Sequence, residues 1–126
     1  MMITLNKMSI NYLPFHDSDF LGIKIIQSEN GQTNLILEIL FCKDELDSID
    51  EDYLNIIGPD GTASLLFRNC RSINFHTICN RSQRDEIDYV HFIDDVHNPE
   101  DKYKHIKVVF ISGSILKCTA EELLIT

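Results

Sequence analysis

The stretch Phe20-Leu-Gly-Ile-Lys-Ile-Ile-Gln-Ser-Glu-Asn-Gly-Gln-Thr-Asn-Leu-Ile-Leu-Glu-Ile-Leu-Phe-Cys42 decides the fold. Leu35, Leu37, Ile39 and Phe41 recur at every second position, the period of a half-buried strand. Residues 20–26 are dense in Ile and Leu. The link Ser28-Glu-Asn-Gly-Gln32 holds an Asn-Gly turn signal. Residues 20–42 are therefore predicted to form a β-hairpin.

The same rhythm extends in both directions. Met8, Ile10 and Tyr12 alternate before Pro14 and read as a strand. Ala63, Leu65 and Phe67 alternate, and Cys70, Ile73 and Phe75 continue past a bend at 69–72. Residues 87–93 place Ile87, Tyr89, His91 and Ile93 on one face and Val90 and Phe92 on the other. Residues 105–111 form a strong strand, and Ser112-Gly-Ser114 turns the chain into Ile115 to Ala120. Glu121 to Thr126 reads as a last strand or a short helix. The segments 80–86 and 94–104 read as polar connections. No repeated long helical pattern interrupts these runs. The expectation is a mainly β, single domain over 1–126: an antiparallel β-sandwich or open barrel of about eight short strands. One short helix is expected near residues 44–57, followed by a turn at Gly58-Pro-Asp-Gly61.

With 126 residues the chain can bury a core without staples. It has no apolar run long enough for a signal peptide core or a membrane span, so a cytoplasmic protein is expected. Its formal net charge is −9. Much of that excess sits in one place: Asp44, Glu45, Asp47, Asp50, Glu51 and Asp52, with no Lys or Arg between Lys43 and Arg68. Such a cluster repels phosphate and attracts cations. It argues against nucleic acid as a partner and for a basic protein. The spacing does not fit a calcium-binding loop, and no metal or cofactor is expected. Tyr53, Leu54, Ile56 and Ile57 follow the acids and read equally as contact anchors or as core.

The remaining chemistry reads as structural. Arg68, Arg71, Arg81 and Arg84 lie close together in a stretch without carboxylates, to pair with the acidic segment or to form a small anion patch. Cys42, Cys70, Cys79 and Cys118 contain no CxxC pair, so buried, reduced thiols are expected rather than a zinc site. His16-Asp17 reads as a local turn. His76 and His91 fall on strands, and His97 and His105 flank a connection and look exposed. A minor activity around His76 or His91 is the only enzymatic reading. No hydrolase, zinc-protease, P-loop or dinucleotide motif occurs, and no enzyme is expected.

Three segments carry a resemblance: Phe15-His-Asp-Ser-Asp-Phe-Leu-Gly-Ile-Lys-Ile25, Ala63-Ser-Leu-Leu-Phe-Arg-Asn-Cys-Arg-Ser-Ile73 and Phe110-Ile-Ser-Gly-Ser-Ile-Leu-Lys-Cys-Thr-Ala120. Together they resemble the opening, middle strand and closing hairpin of small β-rich immunity proteins of bacterial polymorphic toxin and contact-dependent growth inhibition systems. The resemblance spans about half the chain. It implies a non-enzymatic inhibitor of a cognate toxin domain, often a basic nuclease. The acidic segment 43–60 lies outside the resemblance and reads as the insertion that selects the partner. Asp44, Glu45, Asp47, Asp50, Glu51, Asp52 and Tyr53 are then the partner-binding residues. An exposed edge strand leaves room for a homodimer. The alternative reading is a small-ligand-binding β-barrel or an accessory domain without a toxin partner.

Overall fold

The computed structural model describes residues 2–78, 85–93 and 102–126. Seven strands are present there: β1 (Ile3–Leu5), β2 (Ser18–Gln27), β3 (Thr33–Leu40), β4 (Thr62–His76), β5 (Glu86–Ile93), β6 (Lys104–Phe110) and β7 (Ile115–Ile125). Every pairing is antiparallel, in the order β1-β7-β4-β3-β2-β5-β6, and β7 also pairs with β6. The sheet thus curls into a ring. Ile115–Ala120 of β7 pair with β6, and Leu123–Ile125 pair with β1. Among the described residues the ring is shortest between β2 and β5, where Ser18↔Ile87 and Asp19↔Glu86 are in register. The Phe20 N–H adds a bond to the Asp85 carbonyl, and among the described residues the seam extends no further along β2. The mainly β, open-barrel expectation holds.

The predicted hairpin is β2 and β3, in register from Asp19↔Leu40 to Gln27↔Thr33. Gly31 takes φ +83° at its tip, a value that favours a residue without Cβ. Leu35, Leu37 and Ile39 face inward opposite Phe67, Leu65 and Ala63. Ile106, Val108 and Phe110 of β6 and Leu116, Leu123 and Ile125 of β7 fill the rest of the interior. The Phe20 and Phe75 rings pack against Phe110 at 5.1 and 5.7 Å. The bend predicted at 69–72 is a break in β4: Asn69 has φ +53°, and the register with β7 shifts between Cys70 and Ser72. Asn69 donates its N–H to Asn34 Oδ1 and its Nδ2–H to Glu121 Oε2. The chain end is a strand rather than a helix.

Three expectations are corrected. Met8, Ile10 and Tyr12 do not form a strand; Ser9–Tyr12 is a 3-10 turn with Ile10 buried. Asn6 explains it, because its Oδ1 accepts the N–H groups of Met8 and Ser9 and winds the chain there. In β5, Ile87 is buried with Val90, whereas Tyr89 and Ile93 are exposed. A register shift between Ile87 and Tyr89 makes Asp88 an extra residue and flips the phase behind it. Cys42 is exposed where the chain leaves β3, while Cys118 is buried and Cys70 half-buried. Cys79 lies outside the described residues.

Candidate functional site

The acidic segment joins the end of β3 to the start of β4. Leu40 and Thr62 are in register, so both ends of the segment are anchored at one mouth of the barrel. Phe41 donates its N–H to the Gly61 carbonyl and Gly61 donates to Gly58, closing the Gly58-Pro-Asp-Gly61 turn. Asp60 accepts from the hydroxyl and amide of Thr62, which holds its carboxyl below the usual range. Between these ends lie a 3-10 stretch, Lys43–Ser48, and a single helical turn, α1 (Glu51–Leu54). The predicted short helix is thus split in two. Ile49 is extended, and Asp50 restarts the turn as N-cap by accepting the Asp52 N–H.

Tyr53 and Ile57 join Ile10, Leu13, Phe15 and Phe41 in the core and close this mouth of the barrel. Leu46, Ile49 and Ile56 pack partly against it. Of the four apolar residues after the acids, only Leu54 remains a large exposed one, at 40%. Pinning the apolar positions inward turns the carboxylates outward. Asp44, Glu45, Asp47, Asp50, Glu51 and Asp52 are all exposed.

No basic side chain meets them among the described residues. Arg68 pairs instead with Glu122 at 2.7 Å, Lys24 with Glu38, and the Arg71 guanidinium lies over the Tyr103 ring. Arg81 and Arg84 lie outside the described residues. The arginines that the structure places are therefore spent elsewhere. Among the described residues the acids stand without a basic partner.

A cleft of about 550 Å³ opens beside this surface, lined by Ser9, Tyr12, Ser48, Ile49, Asp50 and Tyr53. One wall comes from the N-terminal 3-10 turn and the other from the acidic segment. Sequence reasoning missed Ser9 and Tyr12, since it placed them on a strand far from the acids. The clue was Asn6 followed by Ser9, a pairing that favours a wound turn.

The other candidate groups form no shared site. His16 bridges the weak seam: its Nδ1 lies 3.1 Å from Asp88 Oδ1 and 3.2 Å from the Asp88 carbonyl. The carbonyl and the nearby carboxylates hold its pKa above the usual 6.5. Asp17 has φ +66°, and the Ser18 hydroxyl donates to the Phe15 carbonyl at 2.6 Å, so this stretch is the expected turn. His76 is exposed at the end of β4 opposite Ile115, and His91 stacks on Tyr89 and is in register with Lys107. The two do not face each other. His105 is half-buried rather than exposed, with Nδ1 3.1 Å from Thr119 Oγ1. His97 lies outside the described residues. The Cys118 thiol donates to Cys70 Sγ, which holds the Cys70 thiol below and Cys118 above the ordinary range. Among the described residues no group of His, Cys, Asp and Glu is placed to hold a metal, and no helix is long and apolar enough to cross a membrane.

Comparison with models of known protein families, with curated proteins and with solved structures finds no match.

Proposed function

We propose that this chain is an immunity protein that binds and neutralises a cognate, basic, nuclease-type toxin domain through its acidic surface. In this reading it is a non-enzymatic inhibitor that acts in the cytoplasm as part of a contact-dependent growth inhibition system. The observation that carries the reading is the uncompensated charge of residues 44–52: six exposed carboxylates with no basic partner among the described residues. Asp50 also serves the fold as the N-cap of α1, and among the described residues the charges of all six remain available to a partner.

A nuclease must attract phosphate, so its active face is basic. A dense carboxylate surface mimics phosphate and competes for that face. Steering by such a field raises association rates by about 10–10³-fold at low ionic strength and fades as salt screens it. Lasting affinity needs buried contacts over roughly 800 Å² per partner. Leu54 and the adjoining cleft offer such contacts beside the acids. The barrel interior, filled by Leu37, Leu65, Phe67 and Phe110, favours a surface role over a small molecule held inside.

The test is the variant Asp50→Asn, Glu51→Gln, Asp52→Asn against the captured partner over a salt series. The expected result is slower association and a flatter dependence on salt. An unchanged rate and slope would remove the docking role.

A further inference from the structure

We infer that the cleft between the N-terminal 3-10 turn and the acidic segment is a guanidinium site, which seats one arginine side chain of the protein partner. The inference rests on the functional reading above for the identity of that partner, and on the cleft itself for the chemistry.

Acidic side chains on a surface attract any cation and define no particular spot. Tyr53 defines one. It is only 9% exposed, and its ring belongs to the core cluster. Among the described residues its hydroxyl makes no hydrogen bond. Yet no buried side-chain oxygen or nitrogen there is left without a partner, so the Tyr53 oxygen is not sealed in. Tyr53 is one of the residues that line the cleft. A phenol fixed by its buried ring presents a pre-positioned acceptor, with little entropy left to lose on binding.

The other lining groups agree in chemistry. Asp50 Oδ1 is engaged with the Asp52 amide, and an ionised carboxylate keeps further lone pairs for a second donor. Tyr12 is 64% exposed, so its ring is open to a flat cation. Ile49 supplies an apolar surface for a methylene stem. Ser9 and Ser48 already donate within their own turns. A cavity of about 550 Å³ lies within the roughly 300–1,000 Å³ usual for ligand sites. Guanidinium suits this set better than ammonium. It is planar, weakly hydrated, able to stack on an aromatic ring, and forked to meet a carboxylate and a neighbouring acceptor together. Arginine is also among the residues that most often dominate an interface.

The test titrates the whole protein with N-acetyl-arginine amide, followed by NMR, with N-acetyl-citrulline amide as the neutral isostere. The expected result is a saturable shift at Tyr12, Asp50 and Tyr53 with the arginine compound and none with citrulline. Asp50→Asn keeps a good N-cap and Tyr53→Phe keeps the buried ring, so both should fold. Loss of the charge-assisted bond should weaken binding about tenfold in Asp50→Asn, and loss of the neutral one somewhat less in Tyr53→Phe. Shifts spread over all the acids without saturation, or unchanged binding in both variants, would overturn the site. The two readings fail separately. A saturable arginine response with no toxin captured would remove the immunity reading and leave the guanidinium site. Capture of a basic toxin that neither single variant weakens would remove the seated arginine and keep the immunity reading.

Discussion

Replacing Gly61 by Ala should destabilise the protein more than the same change at Gly31 or Gly22. Gly61 has φ +95°, a conformation that L side chains rarely adopt. A Cβ there would lie 2.8 Å from the Phe41 carbonyl oxygen and 3.4 Å from Leu40 Cδ1. The first contact is with backbone, so no side chain can swing aside. Moving that backbone would strain the Phe41 N–H to Gly61 carbonyl bond of 2.9 Å, which ties β3 to the start of β4. Positive φ costs a non-glycine residue roughly 1–2 kcal/mol, and a weakened hydrogen bond adds about 1 kcal/mol. With the residual clash, a loss of about 2–4 kcal/mol is expected, large against a total stability on the order of 5–15 kcal/mol. Two other glycines separate the causes. Gly31 shares the positive φ, at +83°, but has nothing within 4 Å of the added Cβ. Its Ala variant should show the strain alone. Gly22 has neither constraint, and its Ala variant should be neutral or slightly stabilising. Urea unfolding of the three variants, with equal m-values, reads the series directly. Gly61→Ala no less stable than Gly31→Ala would refute the clash with Phe41.

Leu37→Ala removes a side chain with no exposure from the middle of the barrel and should cost about 2–5 kcal/mol in the same assay. His16 has a raised pKa in the folded state, so its contribution is present below about 6.5 and is lost as pH rises through the folded value. His16→Gln should flatten the fall in melting temperature across neutral pH. Asp60 and Glu121 have the opposite sign: both are lowered, by Thr62 and by Asn69. What they contribute is present above the ordinary carboxylate range and lost as pH falls through the folded values, so Asp60→Asn should blunt the acid side of the profile. Native alkylation with iodoacetamide should label Cys42 quickly and Cys118 only after unfolding, as read by peptide mass mapping.

Much of the barrel was legible because its inward positions alternate without interruption. Leu35, Leu37 and Ile39 could be assigned to one face from their spacing, whereas their register with Phe67, Leu65 and Ala63 is set by the assembled sheet. The outward charge of segment 44–52 was legible for a related reason, since carboxylates without partners have nowhere else to go. The errors fall where local backbone chemistry overrides the period. One extra residue, Asp88, inverts the faces of β5 from Tyr89 onward, and no residue type announces it. Asn6 winds Ser9–Tyr12 into a turn although the apolar spacing there suits a strand. That same error hid the cleft, because its Tyr12 wall comes from the turn and its Tyr53 wall from a distant part of the chain. Tyr53 itself was named for its position beside the acids. Its burial and its place beside the cleft depend on how the segment folds back over the barrel mouth, which only the assembled structure reveals.

The most direct measurement is a pull-down from the native host with tagged wild type and the Asp50→Asn, Glu51→Gln, Asp52→Asn variant, at low and high salt, with the bound protein identified. A basic toxin domain held by the wild type at low salt, released in part at high salt and held less by the variant is the result expected of an acidic docking surface. No protein partner at either salt, or equal capture by both chains at every salt, would contradict it.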